Sequence, residues 1–315
     1  MTPVETYRWN GTTWDLMHLG PHPATITPPD DGPTPTYQDM LVGAAVGTGT
    51  QAQLTTLETA LGQQLHVYRS YDSGFPATWQ QGAGSWHPDR FVSWHSLKPS
   101  IPNTASGALD AQLTAWVQSI PTSHQCMLTF QHEPENPNKG NDAATWRTAF
   151  RRFYDIVKSV RPDIPVGPIL MGWTYDPRSG RSATVDWNPG ADKVDFYGVD
   201  EYQSYLFPPA GSPTTWDPYP APNIQRCVEW AATQGKPAAV GETACGDYQG
   251  DFTKKRDWIK GNVDYFAANN GIAFCYFNTL VNNDMSPNSL LTDDSLTETY
   301  YGSVLADPPQ ITSWT

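Results

Sequence analysis

The chain has 315 residues and a formal net charge of −13 at pH 7, with 38% hydrophobic and 16% charged residues. This length suffices for one large domain or two ordinary ones. Nucleic acids and anionic membrane surfaces bind basic patches on proteins. Because this chain is strongly acidic, neither is predicted as its partner. No apolar run approaches the ~18 residues of a membrane span, so no membrane insertion is predicted.

Residues 1–36 differ in composition from the remainder of the chain. Residues 7–14 read YRWNGTTW, in which Asn10-Gly11 is a turn signal flanked by aromatic residues, and this pattern predicts a short β-hairpin. Residues 21–36 then carry six prolines. That density indicates a stiff linker or an arm along a surface.

From residue 37 onwards, short apolar runs alternate with helical patterns. Eight runs have the length and composition of buried parallel strands: 40–46, 65–71, 91–97, 126–130, 165–173, 193–202, 238–245 and 272–277. Apolar spacing and terminal signals predict helices over 51–61, 108–120, 142–160, 224–234, 252–269 and 295–305.

This alternation over about 270 residues predicts an α/β fold, a (β/α)₈ TIM barrel. The competing fold, a doubly wound open sheet, would show a glycine-rich phosphate motif after its first strand, and GAAVGTGT matches that motif poorly. The predicted organisation is an N-terminal hairpin and proline-rich arm over 1–36, a catalytic barrel over 37–308 and a tail over 309–315.

The four cysteines are Cys126, Cys227, Cys245 and Cys275. Their spacing does not match a metal site, and three of them lie inside apolar runs. Buried cysteines pack as small hydrophobic residues, so free buried thiols are predicted, with a disulfide between neighbouring strands as the alternative.

The fourth and seventh predicted strands each end near a glutamate. Residues 125–136 read QCMLTFQHEPEN and contain Glu133, and residues 238–245 read AAVGETAC and contain Glu242. Active sites of (β/α)₈ enzymes lie at the C-terminal ends of the strands. Two carboxylates there suit glycoside hydrolysis, in which one protonates the leaving oxygen and the other attacks the anomeric carbon or activates water. Glu133 and Glu242 are the predicted catalytic residues, with Glu135 as the alternative to Glu133.

Alternation of side chains along a strand predicts which residues share a face with each carboxylate. It groups Glu133 with Met127, and it groups Glu242 with Ala238 and Val240. With the strand ends at the barrel mouth, both carboxylates are expected to point into it.

Two short motifs resemble those of a known enzyme group. HEP at 132–134 and GET at 241–243 are similar to the acid/base and nucleophile motifs of the clan A retaining glycoside hydrolases. The histidine before the first glutamate is most similar to family 26, which includes β-mannanases and related β-glycanases. The resemblance implies that Glu133 is the general acid/base and Glu242 the nucleophile of a double displacement.

Six further residues are predicted to bind substrate or to support the carboxylates: Arg69, His95, His132, Trp173, Asp200 and Tyr202. Arg69, near the end of the second strand, is expected to hydrogen-bond Glu242 and keep it ionised. His95 is a candidate contact for sugar hydroxyls, with a core histidine as the alternative, and Trp173 is a candidate stacking platform. The resemblance implies that His132 steadies the site and that Tyr202 donates a hydrogen bond to Glu242. An ordinary loop acid is the alternative for Asp200.

Neither an HExxH motif nor a GxSxG elbow is present in the sequence. A metal site formed by His132, Glu133 and Asp200 is the alternative to the carboxylate pair. The prediction is that no cofactor and no metal takes part. The residues before Glu133 lack the arginine usual in family 26 mannanases, so the predicted substrate is a polysaccharide or oligosaccharide whose sugar is unspecified.

The segment YRWNGTTW also resembles short segments of actinobacterial phage tail proteins. That resemblance implies an extracellular or virion-associated location and attachment to a phage tail, or to a larger polypeptide, through the N-terminus. The predicted function is a retaining glycoside hydrolase acting on a bacterial envelope or capsular glycan. The alternative is a non-catalytic carbohydrate-binding or receptor-binding barrel of a phage tail.

Overall fold

The structure of the protein is a computed structural model. It describes residues 6–9, 14–17, 37, 39–46, 49–79, 92–180, 184, 186–203, 216–248, 250–279, 289–307 and 309. The chain separates into two compact units, Met1–Pro35 and Thr36–Thr315.

The smaller unit contains the predicted hairpin. Strands β1 (Thr6–Trp9) and β2 (Trp14–Met17) pair in antiparallel register, with Trp9 opposite Trp14. The predicted Asn10-Gly11 turn and the proline-rich arm lie outside the described residues.

The larger unit is built on a parallel sheet. Its described strands are β3 (Leu41–Val46), β4 (Val67–Asp72), β5 (Val92–Leu97), β6 (Gln125–Phe130), β7 (Ile169–Met171), β8 (Tyr197–Asp200), β9 (Ala238–Glu242) and β10 (Gly271–Asn278). They are hydrogen-bonded in the order β6-β5-β4-β3-β10-β9-β8-β7. The two ends of this order meet where Leu128 donates its N–H to Pro165 O at 2.9 Å and accepts one from Gly167 N at 3.1 Å. The predicted (β/α)₈ barrel is confirmed.

Helices follow or separate the strands. The described helices are α1 (Gln51–Leu61), α2 (Ile101–Ser106), α3 (Asp110–Gln118), α4 (Ala143–Val160), α5 (Gly172–Tyr175), α6 (Pro222–Thr233), α7 (Phe252–Ala268) and α8 (Ser295–Leu305). Side-chain caps define several starts: Thr50 forms a reciprocal capping box with Gln53, and Asp142 accepts a hydrogen bond from Thr145 N. No described helix has the length and apolarity required to cross a bilayer.

Apolar side chains form two layers. The inner layer fills the barrel between the strands: Leu41, Val67, Val92, Trp94, Met127, Ile169, Phe196, Ala239, Ala273 and Cys275. The outer, larger layer lies between the strands and the helices and includes Leu128, Phe130 and Val240. Trp94 and Phe196 meet edge to face at 5.6 Å, so two large rings occupy much of the barrel interior. The interior is thus a packed core, and an open site is confined to the mouth.

Some strand boundaries differ from the predicted ones. The predicted strand over 165–173 shortens to β7, because Pro165 and Pro168 have no N–H for a sheet ladder. Strand β8 begins at Tyr197 because residues 191–193 form a 3₁₀ turn. Helix α2 was not predicted; Gly107, in the left-handed conformation, ends it before α3 begins. All four cysteines are buried and free, as predicted.

Candidate active site

Glu242 reaches the barrel mouth through an irregularity in β9. The pairing of β8 with β9 shifts register between Val199 and Asp200, so that Asp200 lies opposite Glu242. Before the shift, Val240 packs on the helix side and Ala239 on the interior side. The sequence expectation that Glu242 shares a face with Ala238 and Val240 is therefore wrong. A β-bulge at the end of β9 reverses the alternation of side chains along this strand, so that the carboxylate of Glu242 points into the barrel mouth.

Gly241 makes this arrangement sterically feasible. A Cβ atom at residue 241 would overlap Nη1 of Arg69 and would lie 2.6 Å from Oδ1 of Asp200. The absence of a side chain lets β9 lie directly against this ion pair.

Four side chains surround the carboxylate of Glu242. The hydroxyl of Tyr71 donates to Oε1 at 2.8 Å, and the hydroxyl of Tyr202 donates to Oε2 at 2.5 Å. Nη2 of Arg69 lies 3.6 Å and Nε2 of His132 lies 3.7 Å from Oε1. Two hydroxyl donors and a buried guanidinium therefore hold this carboxylate in one orientation. The hydrogen bond expected from Tyr202 is present, whereas Arg69 makes an ion pair in place of the expected hydrogen bond.

Both tyrosines are held as proton donors. Burial, together with the negative charge of Glu242, raises the pKa of Tyr202 well above its usual value. Burial likewise raises the pKa of Tyr71 well above its usual value, although the positive charge of Arg69 opposes this. Their hydroxyls therefore keep their protons at neutral pH and donate them in hydrogen bonds to Glu242.

Arg69 and Asp200 form a fully buried ion pair beneath Glu242. Nη1 of Arg69 donates to Oδ1 of Asp200 at 3.1 Å, and Nη2 donates to the hydroxyl of Ser96 at 3.2 Å. The guanidinium also lies over the rings of Tyr71 and Trp94, at 5.1 and 5.2 Å from their centroids. These contacts hold the planar guanidinium, and with it the positive charge that faces Glu242, in place.

Glu133 stands just beyond the end of β6. The strand stops at Phe130, and Gln131 and Glu133 both take left-handed backbone conformations, with φ of 51° and 47°. Glu133 N–H donates to Ile169 O at 2.8 Å, which anchors this turn to β7. Left-handed glutamates are uncommon and cost free energy, and such strain is concentrated at functional sites. The alternation of side chains along β6 therefore does not extend to Glu133. The direction of its side chain is set by the backbone conformation of this turn.

The surroundings of Glu133 favour its protonated form. Burial and then the negative charge of Glu242 raise its pKa above the ordinary value, against smaller opposing effects of Lys139 and Asn136. Oε2 accepts a hydrogen bond from Asn136 Nδ2 at 3.4 Å and lies 3.6 Å from Lys139 Nζ. The two glutamates therefore differ: Glu133 is half-buried with one long hydrogen bond, whereas Glu242 is buried, accepts two hydroxyl hydrogen bonds and lies beside a guanidinium.

His132 is a buried histidine beside Glu242 in the mouth. Its ring meets that of Tyr71 edge to face at 5.3 Å. Burial, followed by the charge of Arg69, lowers the pKa of His132 well below its usual value, so the ring is neutral. An uncharged imidazole thus lies beside Glu242, and the role that the resemblance implied for it, steadying the site, stays a prediction.

His95 does not join this group. Trp94 and Ser96 face the barrel interior, so His95 between them faces the helices, where its ring meets Trp116 edge to face at 5.7 Å. Its ring nitrogens contact the hydroxyls of Ser70 and Ser93 at 3.1 and 2.9 Å. The expectation that it contacts sugar hydroxyls is corrected: His95 is a hydrogen-bonded core histidine.

Glu135 and Trp173 both lie at α5, beyond the end of β7. Glu135 accepts hydrogen bonds from Met171 N and, at 2.7 Å, from the hydroxyl of Thr174. It therefore fixes the start of α5, which removes it as an alternative to Glu133. Trp173 belongs to α5 instead of ending a strand, and its side chain is half-buried. Its use as a stacking platform stays a prediction.

Sequence reasoning missed four residues at the mouth: Tyr71, Lys98, Lys139 and Phe277. Tyr71 is two positions after Arg69 on β4, so alternation along that strand would have found it. The ring of Phe277 meets those of Tyr71 and Tyr202 edge to face, at 6.4 and 6.1 Å. Lys98 follows β5 directly, and Lys139 comes from the loop after β6; nothing in their sequence context marked them.

Three donor groups lie close enough together to hold a cation. Donor atoms of His132, Asp200 and Glu242 are all within 4.8 Å of one another. The guanidinium of Arg69 already lies 3.1 Å from Asp200 and 3.6 Å from Glu242. A divalent cation at this point would face that fixed positive charge at short range, so the donor set does not suit a metal. The His132, Glu133, Asp200 combination considered from the sequence is disfavoured for the same reason.

Comparison with known proteins gives matches in structure alone. No protein-family model matches the chain, and no curated protein sequence matches it. A ruminal GH26 endo-β-1,4-mannanase superposes with a TM-score of 0.57 at 14% identity, covering 87% of this chain and 66% of the mannanase. The GH53 catalytic domain of Ignisphaera aggregans gives 0.55 at 12% identity, covering 90% of this chain and 99% of that domain.

A third structure extends the same pattern. The GH128 (subgroup II) endo-β-1,3-glucanase of Sorangium cellulosum gives a TM-score of 0.51 at 16% identity, covering 86% of this chain and 99% of that enzyme. Identities this low establish a shared fold only. The structural neighbours are glycoside hydrolases built on the TIM barrel, and this chain has their fold.

Proposed function

We propose that this protein is a retaining glycoside hydrolase that cleaves a β-linked polysaccharide. The observation that carries the proposal is the contrast between two glutamates in one barrel mouth. Glu242 accepts two tyrosine hydrogen bonds beside Arg69, while burial and the charge of Glu242 favour the protonated form of Glu133. A retaining glycosidase requires one carboxyl group that acts as the nucleophile and a second, protonated one that acts as the general acid.

In the first step, the carboxylate of Glu242 attacks the anomeric carbon while the carboxylic acid of Glu133 gives its proton to the glycosidic oxygen. The bond to the leaving sugar breaks, and an ester forms between Glu242 and the remaining sugar. Tyr71 and Tyr202 hold Glu242 at a fixed angle, which lowers the entropy lost in reaching the attacking geometry.

In the second step, Glu133 acts as a base. Esterification removes the negative charge of Glu242, and that charge is one of the causes of the raised pKa of Glu133. The pKa of Glu133 falls, and its carboxylate takes a proton from the water that attacks the ester. The sugar is released with its original configuration, and both glutamates return to their starting states.

The substrate class rests on the structural neighbours, of which two are named as an endo-β-1,4-mannanase and an endo-β-1,3-glucanase. We take a bacterial envelope or capsular β-glycan as the substrate, and an extracellular or virion-associated location with attachment through residues 1–36. These finer assignments rest on the sequence resemblances.

The test compares three single variants. The parent protein is incubated with β-1,4-mannan, β-1,3-glucan and purified bacterial envelope and capsular polysaccharides, and new reducing ends are measured. On any glycan that the parent cleaves, Glu133→Gln and Glu242→Gln should each lower kcat by at least about 100-fold, the effect of losing one acid–base or nucleophilic group. Glu229→Gln, an exposed glutamate on α6, is the control and should leave the rate unchanged.

Two results would count against the proposal. Near-parental rates from either Glu133→Gln or Glu242→Gln would contradict the assigned roles. Glycan binding by the parent without any new reducing ends would favour the alternative, a non-catalytic carbohydrate-binding barrel.

A further inference from the structure

Lys98 is a half-buried cation at the barrel mouth. It follows β5, and its Nζ lies 5.2 Å from the centroid of the Tyr71 ring, the same tyrosine that donates to Glu242. Within the described part of the chain, its ammonium has no hydrogen bond and no ion pair. Burial lowers its pKa, and so does the positive charge of Lys139, against a smaller opposing effect of Glu242.

Three other lysines with buried or half-buried side chains, Lys158, Lys193 and Lys255, have carboxylate partners. Nζ of Lys255, which is fully buried, lies 3.1 Å from Oδ2 of Asp294 and donates to Leu290 O at 2.6 Å. Nζ of Lys158 lies 2.7 Å from Oδ2 of Asp195. Withdrawing an ammonium from water is unfavourable unless an anion or several acceptors replace the water. Lys98 departs from this pattern at the point where a substrate would enter.

Lys139 places a second positive charge beside Lys98. Its Nζ donates to His132 O at 2.8 Å and lies 3.6 Å from Oε2 of Glu133, and its side chain is 30% exposed. Glu133 is a poor permanent counterion, because the proposed reaction needs it protonated when substrate binds. With Glu133 neutral, neither Lys98 nor Lys139 has a charged carboxylate partner among the residues that the structure describes.

The neighbouring carboxylates do not supply the missing partner. Glu242 is already hydrogen-bonded by Tyr71 and Tyr202 and faces Arg69, and Asp200 is paired with Arg69. Arg69 lies beside both carboxylates, and neither of them forms an ion pair with Lys98. The charge of Lys98, on the open side, is left for a ligand.

We propose that the glycan cleaved at this site carries an anionic group, a carboxylate or a sulfate ester, and that Lys98 binds this group with the support of Lys139. The inference rests on the proposed hydrolase function, which it makes more specific. The net charge of −13 opposes a broad basic surface, so recognition is confined to one local oxyanion on a sugar beside Glu242.

The test uses glycan pairs that differ only in charge. Hyaluronan and glucuronoxylan are each compared with their carboxyl-reduced forms, and cellulose sulfate is compared with its desulfated form. Binding is measured by retardation in native gels containing the glycan, with Glu133→Gln to prevent turnover, and hydrolysis is measured with active Glu133. The charged member of at least one pair should bind about tenfold to 100-fold more tightly than the neutral member, the range for one hydrogen bond to a charged group.

Lysine variants assign that preference to Lys98. Lys98→Met should remove it, and Lys98→Arg should keep most of it because the positive charge is retained. Lys236→Met, a change just before β9 at the opposite end of the barrel, should have no effect. Equal binding of charged and neutral members, or an unchanged preference in Lys98→Met, would overturn the proposal.

The outcomes separate this inference from the hydrolase function. Hydrolysis of neutral members alone would support the hydrolase and contradict the anion site. Binding of charged members without hydrolysis would support the anion site and contradict the hydrolase, and the arms with carboxylate and sulfate show which oxyanion is preferred. No binding and no hydrolysis of any member would contradict both.

Discussion

The hydroxyl of Tyr202 donates to Oε2 of Glu242 at 2.5 Å, from a residue just beyond β8 to one at the end of β9. Two backbone hydrogen bonds hold these segments together: Glu201 N donates to Glu242 O at 2.9 Å, and Gln203 N donates to Ala244 O at 3.0 Å. The backbone hydrogen bonds extend the pairing of β8 and β9 beyond the regular strands. They bring the hydroxyl of Tyr202 to the carboxylate of Glu242, the proposed nucleophile, whose orientation therefore depends on this pairing.

Removing this bond should lower activity without unfolding the barrel. Tyr202→Phe is expected to reduce kcat by about tenfold to 100-fold, because a hydrogen bond to a charged group contributes ~1.5–3 kcal/mol. Tyr154→Phe is a matched control, since Tyr154 also donates to a carboxylate, that of Asp195 at 3.2 Å, outside the proposed site. Equal kcat values for Tyr202→Phe and Tyr154→Phe would refute this role for Tyr202.

The pH dependence of kcat/KM should report Glu133. A general acid must be protonated, so activity is expected to fall as pH rises through the raised pKa of Glu133. The positive charge of Lys139 lowers that pKa, and Lys139→Met should therefore move the alkaline limb of the profile to higher pH. The profile is to be measured on an uncharged aryl glycoside or glycan, which keeps anion binding out of the comparison. A shift to lower pH would contradict the assignment of Glu133 as the acid.

Gly241 should tolerate no side chain. Gly241→Ala would press a methyl group against Arg69 and Asp200, and overpacking of this kind costs about 1–3 kcal/mol of the free energy of unfolding. Gly74→Ala is the control, because a Cβ atom there meets no atom within 4 Å. Urea unfolding of both variants checks the prediction. If Gly241→Ala is as stable as Gly74→Ala and fully active, the close approach of β9 to the ion pair is not needed.

Acid should destabilise the barrel through His124. Burial, followed by the charges of His95 and Arg161, lowers the pKa of His124 to about 4. Between pH 6.5 and 4 the unfolded chain binds a proton at this histidine and the folded chain does not, so stability is lost as pH falls. Relative to the parent, His124→Gln should lose less stability over this range, by on the order of 1–2 kcal/mol after allowance for solvent screening. Urea unfolding at pH 7, 5.5 and 4.5 measures the difference; parallel losses would exclude His124 as the cause.

The barrel was predictable because parallel strands buried on both faces leave continuous apolar runs. The same property hides which face is the interior, and His95 shows the consequence: FVSWHSL has large side chains on both sides of the strand, so alternation does not reveal where the histidine points. Tyr197 and Trp94 are both large aromatic residues, yet the first packs outside the barrel and the second inside it.

The two glutamates were found from their positions at strand ends, but the expected geometry was incomplete. Alternation placed Glu242 with Val240, and only the bulge at the end of β9 turns it into the mouth. Glu133 lies beyond β6 on a left-handed turn. Single-residue irregularities of this kind depend on close contacts such as that of Gly241 with Arg69, and these contacts exist only once the barrel has closed.

The anomeric configuration of the first product tests the central claim most directly. On a β-glycan that the parent cleaves, ¹H NMR spectra recorded during the first turnovers show the configuration of the new reducing end before mutarotation. Double displacement by Glu242 with Glu133 as acid and base predicts that the β-anomer appears first. Initial appearance of the α-anomer would mean a single displacement by water and would contradict the role of Glu242 as nucleophile.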